Sequence, residues 1–167
     1  MAHADTDYAR PGRRRVGALL LILNHSGDVL IVQPSYKPGW HLVGGGALPG
    51  EPPHVAALRE STEETGLTDL TVGDLLLADY IPAEEDGSSE EGLNFVFDGG
   101  IVPDGTAITL PPALPGEEEP ELIGWAFVSA DRLDDYCLPH QRQRITEALA
   151  GLHDPAQRGY RVRGHRI

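Results

Sequence analysis

An α/β fold, an α/β/α sandwich with a mixed central sheet between helices, is what the sequence predicts for most of this chain. Three observations carry that reading. Short apolar or alternating runs of strand length recur at residues 16–23, 29–33, 40–43, 70–81, 93–97 and 122–128. Two segments of helical character interrupt them, one following Pro52 and Pro53 and one over residues 139–152, which puts helices on the faces of a sheet. The length, 167 residues of which 40% are hydrophobic, suits a single domain with a substantial core.

The elements follow in order. Residues 1–15 lack apolar periodicity and hold a Pro-Gly pair and three consecutive arginines, so a flexible, solvated basic arm is expected. The single domain then runs from 16 to 152, and a basic tail, open to forming a short strand pair, from 153 to 167. Residues 16–23 read as a buried strand, and the turn Asn24-His25-Ser26-Gly27-Asp28 returns the chain into a second strand as a hairpin. After a loop over 34–39, which holds Lys37, the only lysine, a short strand from Trp40 leads into Gly44 and Gly45; Trp40 is expected to pack rather than face a ligand. The first helix starts at Pro52 and Pro53, turns Val55 and Leu58 inward and stops at Gly66. Residues 70–81 predict one long strand with Gly73 as a candidate bulge, ended by Pro82. An acidic, Gly/Ser-rich hairpin tip over 83–92 and a strand over 93–97 follow. The connection 98–120 holds five prolines and predicts little regular structure beyond a short strand near 107–110. A strand carrying Trp125, a short helix capped by Ser129, and a helix with Ile145, Ala148 and Leu149 on one side and arginines on the other complete the domain.

Charge and cysteine usage exclude some partners. A formal net charge of −13 argues against a nucleic-acid polymer, whose binding depends on Lys and Arg neutralising phosphates. A small phosphate ligand carried with a cation remains compatible with that charge. Cys137 is the only cysteine, so no intrachain disulfide forms and a reducing compartment fits. The run 16–23 is too short for a membrane span or a signal-peptide core, so the chain is expected to be cytoplasmic with no membrane partner. A homodimer is compatible with the sequence, which does not specify one.

The stretch from Gly45 to Leu67, GGALPGEPPHVAALRESTEETGL, carries the chemistry. Glu60, Glu63 and Glu64 stand at i, i+3 and i+4, so all three crowd one side of a helix and repel one another. A divalent cation would offset that repulsion, because hard cations such as Mg2+ take oxygen ligands from carboxylates together with substrate phosphates. Gly45, five residues, Glu51, seven residues, Arg59-Glu60, two residues, Glu63-Glu64, one residue and Gly66-Leu67 resemble the signature of the MutT-like Nudix hydrolases, with all seven fixed positions matched. Ser61 departs from it, standing where the family has an apolar residue. It is expected to face the core with Ala57 and Leu58 and to bond back to the helix carbonyl four residues earlier. Trp40-His41-Leu42-Val43-Gly44-Gly45 also departs from the family's usual Trp-x-x-Pro-Gly-Gly.

The resemblance implies a Nudix-type sandwich and a metal-dependent hydrolase, with Mg2+ or alternatively Mn2+, that cleaves the pyrophosphate bond of a nucleoside diphosphate linked to another group. ADP-ribose-like compounds, nucleotide sugars and nucleoside triphosphates are the substrates it suggests, with Pro82 ranking ADP-ribose first. It implies Glu63 and Glu64 as the closest metal contacts, Glu60 completing the set directly or through water, and a backbone carbonyl near Gly45 or Gly46. Arg59 would orient the carboxylates and meet Glu51. His41 and His54 are the nearest alternative ligands, although hard oxygen sites seldom need them. The family often adds a carboxylate from a loop outside the box, and here Glu117, Glu118, Glu119 and Glu121 precede the Trp125 strand. Glu119 or Glu121 is the candidate to approach the metals or take the proton from water. The rival reading is a catalytically silent nucleotide sensor of the same fold, which would be expected to lose box carboxylates that this chain keeps.

Overall fold

The computed structural model describes residues 14–85 and 90–167; the arm expected over 1–15 lies outside it up to residue 13, as does the centre of the expected hairpin tip, 86–89. Among the described residues, eight strands form one sheet: β1 (Arg15–Asn24), β2 (Val29–Pro34), β3 (His41–Gly46), β4 (Leu75–Ile81), β5 (Gly92–Val102), β6 (Leu122–Val128), β7 (Gly159–Val162) and β8 (His165–Arg166). Their spatial order is β6-β2-β3-β1-β5-β4-β7-β8. The sheet is mixed, since β1 runs parallel to β5 and β4 parallel to β7 while the other pairs are antiparallel.

Two helices cover the two faces. Helix α1 (Pro53–Thr65) contributes Ala56 and Ala57 to one core with Leu20, Ile22, Leu30, Val32 and Val43. Helix α2 (Pro139–His153) contributes Ile145 and Ala148 to the other with Leu19, Leu21, Ile31 and Leu42. Along β1 the two sets alternate, the period-2 pattern of a strand buried on both faces. Trp40 packs as expected, edge-on to Tyr136 with ring centroids 5.3 Å apart.

Several elements differ from the sequence reading. The strand expected from Leu70 begins at Leu75. Residues 70–74 run as a loop in which Gly73 N–H donates to Asp98 O and Asp98 N–H to Asp74 O, so Gly73 is not a strand bulge. The irregularity lies instead between Leu75 and Leu77 opposite β5. Strand β5 is twice the expected length, because Gly99 fits where a Cβ would meet Ile22 Cγ1 at 2.6 Å and so lets the strand continue along β1. No strand forms near 107–110; Ile108 and Leu110 pack against the α1-side core, and Thr109 N–H donates to Thr65 O at 2.8 Å. The segment is held by burial and a helix end, so it has no need of a sheet partner.

Helix α1 also turns differently. Val55 and Leu58, expected inward, are exposed, and the buried positions are Ala56, Ala57, Ser61, Glu64 and Thr65. The reason is what lies beneath: β3 ends in Gly44, Gly45 and Gly46, so the helix approaches a backbone without side chains and only small groups fit between. Ser61 Oγ is buried without a partner rather than bonded back to the helix. Thr65 Oγ1 makes that kind of bond, donating to Ser61 O at 2.5 Å. Gly66 closes the helix with φ 71° and its N–H on Thr62 O, the left-handed stop that glycine permits. Among the described residues no helix is long and apolar enough to cross a membrane.

Candidate active site

The glycine end of β3 opens a cleft of about 720 Å³ that both helices line. Glu60 and Glu64 come from α1, His140, Gln141 and Arg144 from α2, and Gly17, Gly44, Gly45 and Gly46 supply a surface without side chains between them. Lys37 and Tyr36 from the β2–β3 loop, His41, Arg15, Asn94 and Glu121 complete the walls relevant here.

Glycine is required at the floor. Gly44 has φ +121°, and a Cβ there would lie 2.3 Å from Ala18 O; a Cβ on Gly45 would lie 2.7 Å from the Glu60 carboxylate carbon. That closeness lets Gly44 N–H donate to Glu64 Oε2 at 2.6 Å, fixing the buried carboxylate against β3. Burial pushes the Glu64 carboxyl up to about 8, the Gly44 bond opposes the shift, and the negative charges of Glu60 and Glu121 add to it. Lys37 is the one positive charge that opposes the shift and the smallest of its causes, so desolvation prevails.

Arg59 organises the rest of the box. Its five N–H donors all find oxygen: Nε and Nη2 grip Glu51 at 2.9 and 2.8 Å, Nη1 reaches Glu60 at 2.9 Å and Glu63 at 3.3 Å, and Nη2 also reaches Gly46 O at 3.1 Å. This fork holds the Glu51 carboxyl down to about 2, helped by the Leu48 N–H that also donates to it, while Glu51 and Glu60 raise the guanidinium above its ordinary value. Arg59 therefore ties the loop before α1 to the helix. Glu63 stands at the rim with its side chain 61% exposed and does not line the cleft.

The remaining candidates separate. Glu121 lines the cleft, whereas Glu119 lies with Glu117 in a neighbouring depression that Tyr36 and Glu121 border on both sides. His54 is exposed. His41 lines the cleft with Nδ1 2.8 Å from Leu42 O, while its buried Nε2 has no partner. Burial lowers its pKa to about 4, partly opposed by the Leu42 bond, so the ring is neutral at pH 7 and, with Nδ1–H donating, Nε2 keeps a lone pair.

The opposite wall was not expected from the sequence. Arg144, placed with the outward arginines of α2, is buried, and its Nε donates to the fully buried Asp79 at 2.7 Å. The amphipathic pattern could not find it, since the partner lies 65 residues away on β4.

The donor set fits a hard divalent cation. Glu60, Glu64, Glu121 and the β3 backbone carbonyls present oxygen only, and the buried Glu64 is short of positive charge. Among the described residues no three His, Cys, Asp or Glu side chains are already gathered as a metal cluster, because Arg59 holds Glu60 and Glu63.

Comparison with known proteins bears on this geometry. Residues 13–149 match the NUDIX domain family. A Bacillus subtilis (strain 168) protein named "Putative 8-oxo-dGTP diphosphatase" is 30% identical over 138 residues, covering 83% of this chain and 82% of its own. The crystal structure of a MutT protein from Methanosarcina mazei Go1 is similar at 25% identity with a TM-score of 0.65, over 84% of this chain and 96% of that one. A UDP-X diphosphatase structure shares the fold at 21% identity and a TM-score of 0.65, over 92% of this chain and 68% of that one. On its box, its fold and these matches, the chain belongs to the NUDIX domain family and is a MutT-like Nudix hydrolase.

Proposed function

We propose that the chain hydrolyses the pyrophosphate bond of a small nucleotide in the cleft beside β3, with Mg2+ or Mn2+ as cofactor. The observation that carries the reading is the pairing of Glu60 and the buried Glu64 against the bare Gly44–Gly46 backbone. Glu64, Glu60 and the Gly45 carbonyl would hold the cation, with Glu63 joining from the rim where Arg59 keeps it. Such an ion supplies charge neutralisation on the phosphate oxygens and a lowered pKa for water.

The chain's own groups do the rest. Glycine at 44–46 lets a phosphate approach the backbone without steric conflict. Arg59 fixes the box loop against α1, so the carboxylates keep their places. Glu121, facing the cleft from the loop before β6, is the candidate to accept the proton of the attacking water. Glu119 is not the favoured base, since its depression lies beside the cleft. Lys37 and Arg15 offer cationic contacts to phosphate.

The name of the 30% identical relative, a putative 8-oxo-dGTP diphosphatase, supports ranking nucleoside triphosphates ahead of the ADP-ribose-like substrates that Pro82 alone suggests. The test is to follow the products of dGTP, ADP-ribose and a nucleotide sugar with Mg2+, with Mn2+ and with chelator: dGMP and pyrophosphate from the first, AMP and ribose 5-phosphate from the second, a nucleoside monophosphate and a sugar phosphate from the third. Metal-dependent turnover, fastest on dGTP, is expected; turnover that persists in chelator, or none on any substrate with either metal, would reject the reading.

A further inference from the structure

The C-terminal hairpin lies beyond residues 13–149, the span shared with the family, yet it is joined to the cleft. Its hub is Asp79 on β4, which is fully buried and splits its two oxygens between two elements. Oδ2 accepts Arg144 Nε at 2.7 Å, and Oδ1 accepts the Gly164 N–H at 2.7 Å from the turn between β7 and β8.

That turn is built tightly. Arg163 has φ 51° and Gly164 φ 79°, so both central residues of the two-residue loop are left-handed, the type I′ arrangement that hairpins favour but an arginine resists. It persists because Arg163 N–H donates to Tyr80 O at 3.0 Å and Arg163 Nη2 reaches Glu84, itself a cleft residue, at 3.3 Å. A Cβ on Gly164 would stand 2.9 Å from the Arg144 backbone nitrogen and 3.0 Å from Gln143 Cβ. The hairpin turn thus touches α2 at Arg144. Glu147, gripped by Arg161 and Arg166 at 2.9 Å each, fastens the rest of the hairpin to the same helix.

Arg144 itself is 8% exposed and lines the cleft. Its Nη1 and Nη2 donate to no group among the described residues. A guanidinium with one nitrogen anchored and its other edge unpaired in a cleft is a fixed two-pronged donor. We propose that the β7–β8 hairpin is a positioning element for substrate: acting through Asp79 and the turn at Gly164, it holds the Nη edge of Arg144 in the cleft, where that edge donates to acceptor atoms of the bound nucleotide. Those acceptors are phosphate oxygens or the carbonyl and ring-nitrogen edge of a base, and the chemistry asked of Arg144 is the same for both. The inference rests on the cleft being the substrate site.

Binding of two probes tests it without requiring turnover. Calorimetric titrations of tripolyphosphate with Mg2+ and of deoxyguanosine are run on the wild type, Arg144→Gln, Gly164→Ala and the double variant. Arg144→Gln is expected to weaken one probe about tenfold, the order of one charged hydrogen bond. Which probe weakens identifies the acceptor. Gly164→Ala is expected to weaken the same probe, and the double variant to be no weaker than Arg144→Gln, since both changes act through one guanidinium. If Arg144→Gln fails to fold because Asp79 is left unpaired, Asp79→Asn with Arg144→Gln removes both charges and carries the same measurement. Affinities for both probes within twofold of wild type, full additivity of Arg144→Gln and Gly164→Ala, or a wild type that binds neither probe would overturn the proposal. Probe binding that weakens as expected in a protein that turns over no nucleotide would leave this inference standing and reject the proposed reaction.

Discussion

The two walls of the cleft are made in opposite ways. The α1 wall is local: Glu60 and Glu64, which line it, and Glu51, Arg59 and Glu63, which brace it, lie within one loop and helix, and Arg59 reaches partners no more than 13 residues away. The α2 wall is assembled at a distance, with Arg144 anchored 65 residues away and the anchor shared with a turn 85 residues from it. A local wall can be carried as a sequence signature, while a distant one depends on the sheet bringing β4, α2 and the hairpin together. The two should therefore fail differently, the first in chemistry and the second in affinity.

The largest effect is expected at Glu64. Glu64→Gln keeps the shape of the side chain and removes its charge, so kcat for the metal-dependent reaction should fall by roughly 10²-fold or more while circular dichroism stays unchanged. Near wild-type turnover would remove the α1 wall from the chemistry.

Glu121 and Glu119 sharpen the same comparison, since both belong to one acidic loop and only the first faces the cleft. Glu121→Gln should lower kcat by more than about tenfold, since a lost general base typically costs roughly 10²-fold, with Glu119→Gln close to wild type. Equal effects, or the reverse order, would move the base elsewhere.

The buried carboxyl also gives a pH signature. Glu64 keeps its proton in the folded, metal-free protein up to about pH 8, whereas the unfolded carboxyl ionises near its ordinary value of 4.5. Its stabilising effect is fully present below that lower value and is lost as pH rises through about 8. One proton of difference corresponds to about 1.4 kcal/mol per pH unit, or roughly 3 °C in Tm for a domain of this size. Thermal melts of the chelated protein between about pH 7 and 8 should show that decline. Glu64→Gln should flatten it, and a decline as steep in that variant would assign it to other groups. His41, neutral in both states over this interval, adds little there; its own contribution is lost toward acid, as pH falls from about 6.5 to about 4.

The smallest effect is expected at Ser61, whose hydroxyl is fully buried without a partner. Ser61→Ala should stabilise by about 1 kcal/mol with activity unchanged, because an unsatisfied buried group is removed. Denaturant melts would detect it, and a loss of stability would mean the hydroxyl has a partner.

The strands β1, β2 and β6 and the two ends of α1 were legible because apolar runs, the Pro52-Pro53 start and the Gly66 stop are local signals. The inward face of α1 was not. Its phase depends on the side-chain-free end of β3, so Ala56 and Ala57 are buried where Val55 and Leu58 were expected. The box carboxylates were legible as a set, but their division between cleft and rim follows from how α1 sits on β3, which buries Glu64 against the Gly44 N–H and leaves Glu63 exposed. Arg144 and Asp79 carried no signal in the sequence, because a buried ion pair across 65 residues leaves no period or spacing.

The central claim, that the α1 carboxylates hold the cation, is tested most directly by titrating Mg2+ into the substrate-free wild type and Glu64→Gln. Binding by the wild type that weakens at least tenfold in the variant is the predicted result. Equal Mg2+ affinity in the two proteins would contradict it.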